Sequence, residues 1–464
     1  MKFNSFFLPA FFFITSLLAY YSTGTYESGD SIQHYLIAKY AFRHPELFLH
    51  LWGKPFFTLL ASSFAQFGFF GICIFNISCA TITGYLVFKI AAQLNMYNSW
   101  IAAVIALFTP IYYVTLISGL TEPLFALILT LGIYFYLNNR PGFSALIMSF
   151  LPFVRSEGYL LLPVFALAFY YSKKKSWIHF LLLSAGTSIY SLLGYFYYHD
   201  LFWLWTQNPY KGAKDIYGSG SLFQFISKNE FILGTPVVVL FCFGLISYLY
   251  PGNKISRSEF ILILLTFLTY FTAHSVFWCL GLFGSLGLIR VMAGVAPISA
   301  LISLRGLNFI SHLLSKVSTF AKLSLYKNYF YLCLVLLISL IPFKQHHFPR
   351  DLDNQDKCVY EASEWLEKNA IDNKRTKPAP KIFFAYPYFA YFLNLDPYNK
   401  EQSEPLYAMD QKNLPSGSII LWDSHFGPNE SRMSLQNLTG DSTLKNLKSF
   451  HFEKSFEIQV FRKK

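Results

Sequence analysis

Long apolar runs separated by short polar breaks dominate this chain until about residue 343, where the pattern changes. The runs fall at residues 5–21, 68–90, 99–116, 121–137, 143–154, 157–171, 177–198, 231–250, 259–277, 287–304 and 328–342. A helix needs roughly 20 apolar residues to cross hydrocarbon upright, and these runs predict eleven membrane spans. The run at 143–154 is short and must pair with its neighbour or thin the bilayer. The first run follows Lys2 and lacks a clear small-residue cleavage site, so it reads as a span rather than a signal peptide. Between the first two spans lies a polar stretch, 22–54, whose segment SIQHYLIAKYAF suits a helix. Pro55 then opens an apolar interfacial helix. Beyond residue 343, EASEWLEKN predicts a short amphipathic helix, and KIFFA, SGSIILWD and FEIQVF predict strands. The expected fold class is an α-helical polytopic membrane protein with a small external α/β C-terminal domain. The expected division is a membrane module over 1–342 and a soluble domain over 343–464.

Composition supports a lipid solvent. The chain is 54% hydrophobic and only 13% charged, against about 25% charged in soluble domains. Its net charge of +12 would suit a polyanion partner, but the placement of the charges argues otherwise. Lys2, Lys89, Arg140, Lys173, Lys174, Lys175, Lys254, Arg257, Arg305, Lys316, Lys322 and Lys327 all fall in segments predicted to be cytoplasmic, opposed there by Glu259 alone. From residue 344 onward, 17 basic residues meet 16 acidic ones. The surplus is a positive-inside bias, and no nucleic acid is expected as a partner. The N-terminus is expected in the cytoplasm and the C-terminal domain outside, in a plasma (inner) membrane. Of six cysteines, only Cys358 lies in the tail, which therefore has no internal disulfide. No Cys/His spacing suggests a metal site.

The informative ionisable residues share one predicted depth, just under the outer surface. Asp30 and Glu27 lie in the first external loop, with His34 one turn after Asp30. Glu122 opens a span in SGLTEPLF. Arg155 and Glu157 sit at the outer turn of FVRSEGY. His274 ends its span, Arg290 begins the next, and Lys211 lies in the outer loop NPYKGAKDIYGSG. Charges near membrane segments often mark function, but each has a structural alternative. Glu122 can be a first-turn acid after a Thr121 cap. Arg155 and Glu157 can pair with each other, Arg290 can snorkel, and His274 can be a structural histidine. Lys211 can be a solvated loop charge. Asp30 can cap a helix beginning at Ser31. Their common depth is what points to a site, and it lies away from the bilayer midplane where a transporter would place one.

An acidic first external loop (SGDSIQHY), many spans and an external soluble tail resemble the GT-C superfamily of membrane glycosyltransferases. The block LTEPLFALILTLGIYFYLNNRPGFSALIMSFLPFVRSEGYLLLP is similar to one in enzymes that use polyprenyl-phosphate sugars, mannosyltransferases and arabinosyltransferases among them. The stretch from HSVFW to GLIRVMAGVAP resembles the later helix pair that sets a basic residue near the donor phosphate. The resemblance covers residues 1–342. It implies a membrane glycosyltransferase that moves a sugar from a polyprenyl-phosphate donor to an acceptor, which can be glycan, lipid or protein. It further implies an inverting displacement with a first-loop carboxylate as base. Many relatives carry adjacent acids there, whereas here Glu27 and Asp30 stand three apart. Asp30 is the favoured base. Arg290 is the first choice for the donor phosphate, with Lys211 or Arg155 assisting. His34, Glu122, Glu157 and His274 would support them. Some members of the superfamily use a divalent cation; the residues here show no ligand cluster for one, and no cofactor is expected.

Two other readings use the same features. A flippase or transporter for lipid-linked saccharides would need the groove but no base. A ligase-type protein would place its key Arg and His residues in a large later external loop. The loop at 199–230 carries only His199 at its edge, which makes that reading weaker.

Overall fold

The computed structural model describes residues 3–172, 175–207, 209, 218–316, 327–369, 380–453 and 456–464. Lys173 and Lys174 of the inside-marking lysine run lie outside the described residues, as does Lys211. The chain opens with helix α1 (Phe3–Tyr20), α2 (Ser28–Tyr40), α3 (Pro55–Ala65) and α4 (Gly68–Gln93). Among the described residues four helical stretches are long and apolar enough to cross a membrane: Gly68–Gln93, Ile178–Tyr198, Arg257–Leu280 and Ile289–Ser315. Shorter apolar helices accompany them. The chain is a multi-pass membrane protein. Leu181, Leu192, Leu193 and Phe196 point outward from Ile178–Tyr198, as expected of a helix face solvated by lipid.

Length alone does not establish eleven crossings, and the expected span at 99–116 takes a different form. It consists of two short helices, Trp100–Leu107 and Pro110–Leu116, broken at Thr109. Thr109 is extended because a residue before proline is pushed out of the helical region, and Pro110 has no N–H to donate. The apolar helix opened by Pro55 is present as α3.

The C-terminal part holds a five-stranded sheet in the order β2-β1-β3-β5-β4. Its strands are β1 (Ile382–Phe384), β2 (Ser403–Pro405), β3 (Ile419–Asp423), β4 (Leu444–Phe452) and β5 (Phe456–Lys463). β1 runs parallel to β2 and β3, while β5 is antiparallel to β3 and β4. The three strands expected from the sequence form the middle of the sheet, and its two edges were not foreseen. β2 has only three residues and ends in proline, and β4 turns Lys445 and Lys448 to solvent. Short, charged or proline-bearing strands are how edges avoid pairing with other chains, and the same features hide them from a hydrophobic pattern. The amphipathic helix is longer than expected, Asn354–Asn369, and packs on the β4 and β5 side.

The sheet domain rests directly on the first polar stretch. The backbone N–H groups of Thr23 and Gly24 both donate to the Arg350 carbonyl, at 2.8 and 3.0 Å. Tyr40 in α2 donates to the Leu395 carbonyl at 2.9 Å, and Gln33 donates to the Tyr398 hydroxyl at 3.2 Å. Thus α2 lies between the membrane helices and the sheet domain, with most of its residues buried.

Candidate active site

Helix α2 starts at Ser28, so Asp30 lies in its first turn and is not its cap. This corrects the alternative in which Asp30 caps a helix beginning at Ser31. The residue before the helix is Glu27, in the left-handed region at φ 51°, and it caps nothing through its side chain. An acid in the first turn is favoured by the helix dipole, and the Asp30 carboxylate remains available to other groups.

The start of α2 is fixed from several sides. Thr25 Oγ1 donates to the Ile117 carbonyl at 3.1 Å, and Ser31 Oγ to the Tyr26 carbonyl at 2.6 Å. Gly119 lies so close that a Cβ there would clash with the Ser31 carbonyl oxygen. The loop carrying Gly119 is held by Asn76, fully buried in α4, whose amide donates to the Ser118 and Leu120 carbonyls at 2.7 and 3.0 Å. That loop delivers Glu122 to the head of the helix Glu122–Leu137. On the far side, Tyr270 donates to the Val291 carbonyl at 3.0 Å and fixes the 3-10 segment Ile289–Val295, which carries Arg290.

These anchors bring six residues into one chain of charges. Arg290 Nη2 donates to Asp30 Oδ2 across 260 positions of sequence. Arg290 Nε lies 3.8 Å from Glu122 Oε1, and Arg155 Nη1 lies 2.6 Å from the same oxygen. Arg155 Nη2 donates to Glu157 Oε1 at 2.8 Å, and His274 Nε2 lies 3.8 Å from that oxygen. The signs alternate along the row from Asp30 to Glu157. Glu122 is fully buried, while 40% of the Asp30 side chain remains exposed. Arg290 Nε and Nη1 have no hydrogen-bond partner among the described residues.

The two first-loop acids are driven apart. Burial raises the Glu27 carboxyl above its usual range, and the pull of Arg290 only partly offsets this. Burial also pushes Asp30 upward, but Arg290 acts on it both by charge and by hydrogen bond, and the net shift is downward. Asp30 is therefore the acid held ionised. His34 is buried and stacks on Trp52, with ring centroids 4.7 Å apart. Burial pushes its imidazole down to about 3, so it is neutral at ordinary pH.

Of the residues singled out from sequence, Asp30, Arg290, Glu122, Arg155, Glu157 and His274 thus meet, with Glu27 and His34 beside them. Lys211 lies outside the described residues. Sequence reasoning missed Lys54, which is buried and donates to Ser156 Oγ at 3.3 Å beside Glu157. Its position at the close of the polar stretch, directly before Pro55, was the available signal. It also missed Tyr270 and Asn76, which sit inside apolar runs and stand out only as isolated polar groups there. No three His, Cys, Asp or Glu side chains among the described residues are grouped as metal ligands.

No family model matches the chain, and no curated protein sequence does. Solved structures do match it. ArnT from Cupriavidus metallidurans, bound to undecaprenyl phosphate, superposes with a TM-score of 0.63 at 9% identity, covering 98% of this chain and 97% of that one. The mycobacterial arabinofuranosyltransferase AftD matches with a TM-score of 0.54 at 12% identity, over 98% of this chain and 39% of its own. The Archaeoglobus fulgidus oligosaccharyltransferase, tethered with an acceptor peptide, matches at 0.50 and 13% identity, over 91% of this chain and 70% of that one. All three are GT-C glycosyltransferases, and the chain has a GT-C-like fold.

Proposed function

We propose that this protein is a membrane glycosyltransferase that moves a sugar from a polyprenyl-phosphate donor to an acceptor hydroxyl at the outer face of the membrane. The observation that carries the reading is the contact between Asp30 and Arg290, in which Arg290 keeps donors without partners among the described residues. The fold shared with ArnT, solved with undecaprenyl phosphate, supports a lipid-linked donor.

The chemistry follows from these groups. The acceptor oxygen attacks the anomeric carbon, and the bond from that carbon to the phosphate oxygen breaks. Its electron pair stays on the phosphate, which leaves as polyprenyl phosphate, and the configuration inverts. The developing negative charge needs fixed donors, and a guanidinium fork suits phosphate oxygens. Arg290 supplies that fork, with Arg155 steadied behind it by Glu122 and Glu157. Asp30 takes the acceptor proton. In the resting site Arg290 holds Asp30 ionised and weakly basic. A donor phosphate that claims the guanidinium removes that restraint and leaves burial to raise the carboxyl, so donor binding makes Asp30 a better base. Glu27, held protonated more readily, is the reserve acid beside it.

The test offers purified protein a panel of synthetic polyprenyl-phosphate sugars together with membrane glycan and lipid acceptors. Release of polyprenyl phosphate that is strongly reduced in Asp30→Asn supports the reading. Saccharide movement across vesicles that survives Asp30→Asn, with no transfer from any donor, overturns it in favour of a flippase.

A further inference from the structure

A cavity lies at the end of α2 away from Asp30, where the membrane helices meet the sheet domain. It has a volume of about 560 Å³, within the range of small-ligand sites, roughly 300–1,000 Å³. Unlike a typical ligand pocket, it is lined entirely by residues with polar or charged groups. Lys39, in the last turn of α2, and Arg43, in the turn that follows the helix, both line it. Asn394, Asn399 and Gln402 face it from the sheet domain, and Gln66 from the end of α3.

The charges there are unbalanced. The one carboxylate in the lining, Asp396, is already engaged: its Oδ2 lies 3.0 Å from His44 Nε2, and its Oδ1 accepts from the Tyr398 backbone at 3.1 Å. Lys39 donates to Asn394 Oδ1 at 3.1 Å and lies over the Tyr40 ring, and Arg43 lies over the same ring. Neither cation has an acidic partner among the described residues. The side-chain amide oxygens of Asn399 and Gln402 accept from the Glu401 and Asp396 backbones at 3.0 and 3.5 Å, which orients their NH2 groups as neutral donors in the same lining.

The surroundings place this site at a lipid boundary. Gln66 lies just before Gly68, where the membrane-length helix α4 begins. Phe67 beside it is 80% exposed, and Phe42 beside Arg43 is 57% exposed. Leu59, Leu60 and Phe64 extend the exposed apolar rim along α3. A basic, amide-lined cavity bordered by outward aromatic and aliphatic side chains has the amphipathic form of a lipid headgroup and its attached chains. Nine residues of helix separate Lys39 from Asp30, about 13 Å at 1.5 Å per residue. The cavity is thus distinct from the Asp30–Arg290 pair, and one phosphate cannot occupy both.

We infer that this cavity binds the phosphate-bearing head of a membrane lipid, as a second lipid site separate from the proposed donor site. Lys39 and Arg43 hold the phosphate, and Asn394, Asn399 and Gln402 take hydroxyl groups of the head. A free anion would satisfy the two cations but would leave the apolar rim without a role.

The experiment measures lipid binding to the full-length protein in nanodiscs by native mass spectrometry. It compares phosphatidylglycerol with phosphatidylcholine and adds inorganic phosphate as competitor. Phosphatidylglycerol is expected to be retained selectively. The double variant Lys39→Gln, Arg43→Gln is expected to lose that selectivity by roughly 30-fold, as two basic contacts at a lipid surface imply. Asn399→Ala with Gln402→Ala, in a sheet-domain loop, should weaken binding less and without changing the charge. The thermal stability of both variants in phosphatidylcholine alone should match wild type. Equal retention of the two lipids, or selectivity unchanged in the double variant, overturns the inference. Displacement by inorganic phosphate at its own low concentration also overturns it, in favour of a free-anion site. Binding is read without turnover, so failure here is separate from failure of the proposed transfer.

Discussion

Two ionic groups in this molecule each centre on an arginine set against a carboxylate, and they differ in whether the fork is closed. At one, Arg305 grips Glu259 as a closed fork: Nε donates to Oε1 at 2.8 Å and Nη2 to Oε2, while Tyr248 adds a hydrogen bond to Oε1 at 3.2 Å. Both carboxylate oxygens are occupied, and three helical segments are tied together. At the other, Arg290 stands between Asp30 and Glu122 with Nε and Nη1 unmatched by hydrogen bonds, and part of Asp30 faces solvent. A buried donor left unmatched costs about 1–3 kcal/mol. A fold that needed only a rivet would close the second group as it closes the first. The open arrangement leaves Arg290 donors available, as the proposed donor phosphate requires.

The comparison can be broken or sharpened by substitution. The largest effect is expected from Asp30→Asn, which keeps the shape and removes the proposed base. Transfer from a polyprenyl-phosphate sugar should fall by about 10²–10⁴-fold, with the unfolding temperature little changed. If turnover survives, the open group is structural and the contrast fails. Arg305→Met should do the reverse. It leaves Glu259 buried without its partner, and loss of one member of a buried pair costs about 3–5 kcal/mol. Thermal unfolding should come sharply earlier, while turnover per folded molecule stays near wild type.

A smaller effect is expected behind the open site. Asn76→Leu removes the two hydrogen bonds that hold the loop leading to Glu122, leaving two buried carbonyls without those donors. Stability should fall by about 1–3 kcal/mol, and turnover should fall with it because Glu122 is no longer fixed against both arginines. Parallel melting and rate measurements distinguish this from Arg305→Met, where only the melting curve moves.

The smallest effect concerns the contact between the sheet domain and the start of α2. Tyr386 donates to Asp356 Oδ1 at 2.6 Å, and Ser28 Oγ lies 3.2 Å from the Tyr386 hydroxyl. Burial raises the Asp356 carboxyl to about 7, with the Tyr386 hydrogen bond opposing it. A raised carboxyl means that the folded state holds a proton the unfolded state has lost. Stability should therefore decline as pH rises from about 4 toward about 7 and then level off. Asp356→Asn should flatten that slope, as read by thermal unfolding across the pH range. Ser28→Ala removes one further hydrogen bond from the same contact and should cost about 1 kcal/mol.

How much of this was legible in the sequence differs by region. The apolar runs marked most of the membrane-facing helices because burial in lipid leaves a simple compositional trace. The Thr109–Pro110 break was readable in principle from proline chemistry, but the apolar run concealed it. The central strands carried enough apolar residues to be seen, whereas β2 and β4 are edge strands whose polarity looks like loop. Asp30, Arg290, Glu122 and Arg155 stood out as charges at a common depth. Lys54, Tyr270 and Asn76 did not, because a single polar residue in or beside an apolar run has no pattern of its own.

By itself the sequence determined which segments are apolar and which charges interrupt or flank them, since hydrophobic spacing is a local property of the chain. Only the tertiary structure decided which charges touch. Whether residue 30 meets residue 290 depends on how a first-loop helix, a loop held by Asn76 and a 3-10 segment held by Tyr270 pack together. Periodicity reports that a side chain faces inward, not which side chain it faces. That pairing turned a set of individually ordinary charges into an open row ending at Asp30, and left Arg305 with Glu259 as a closed one.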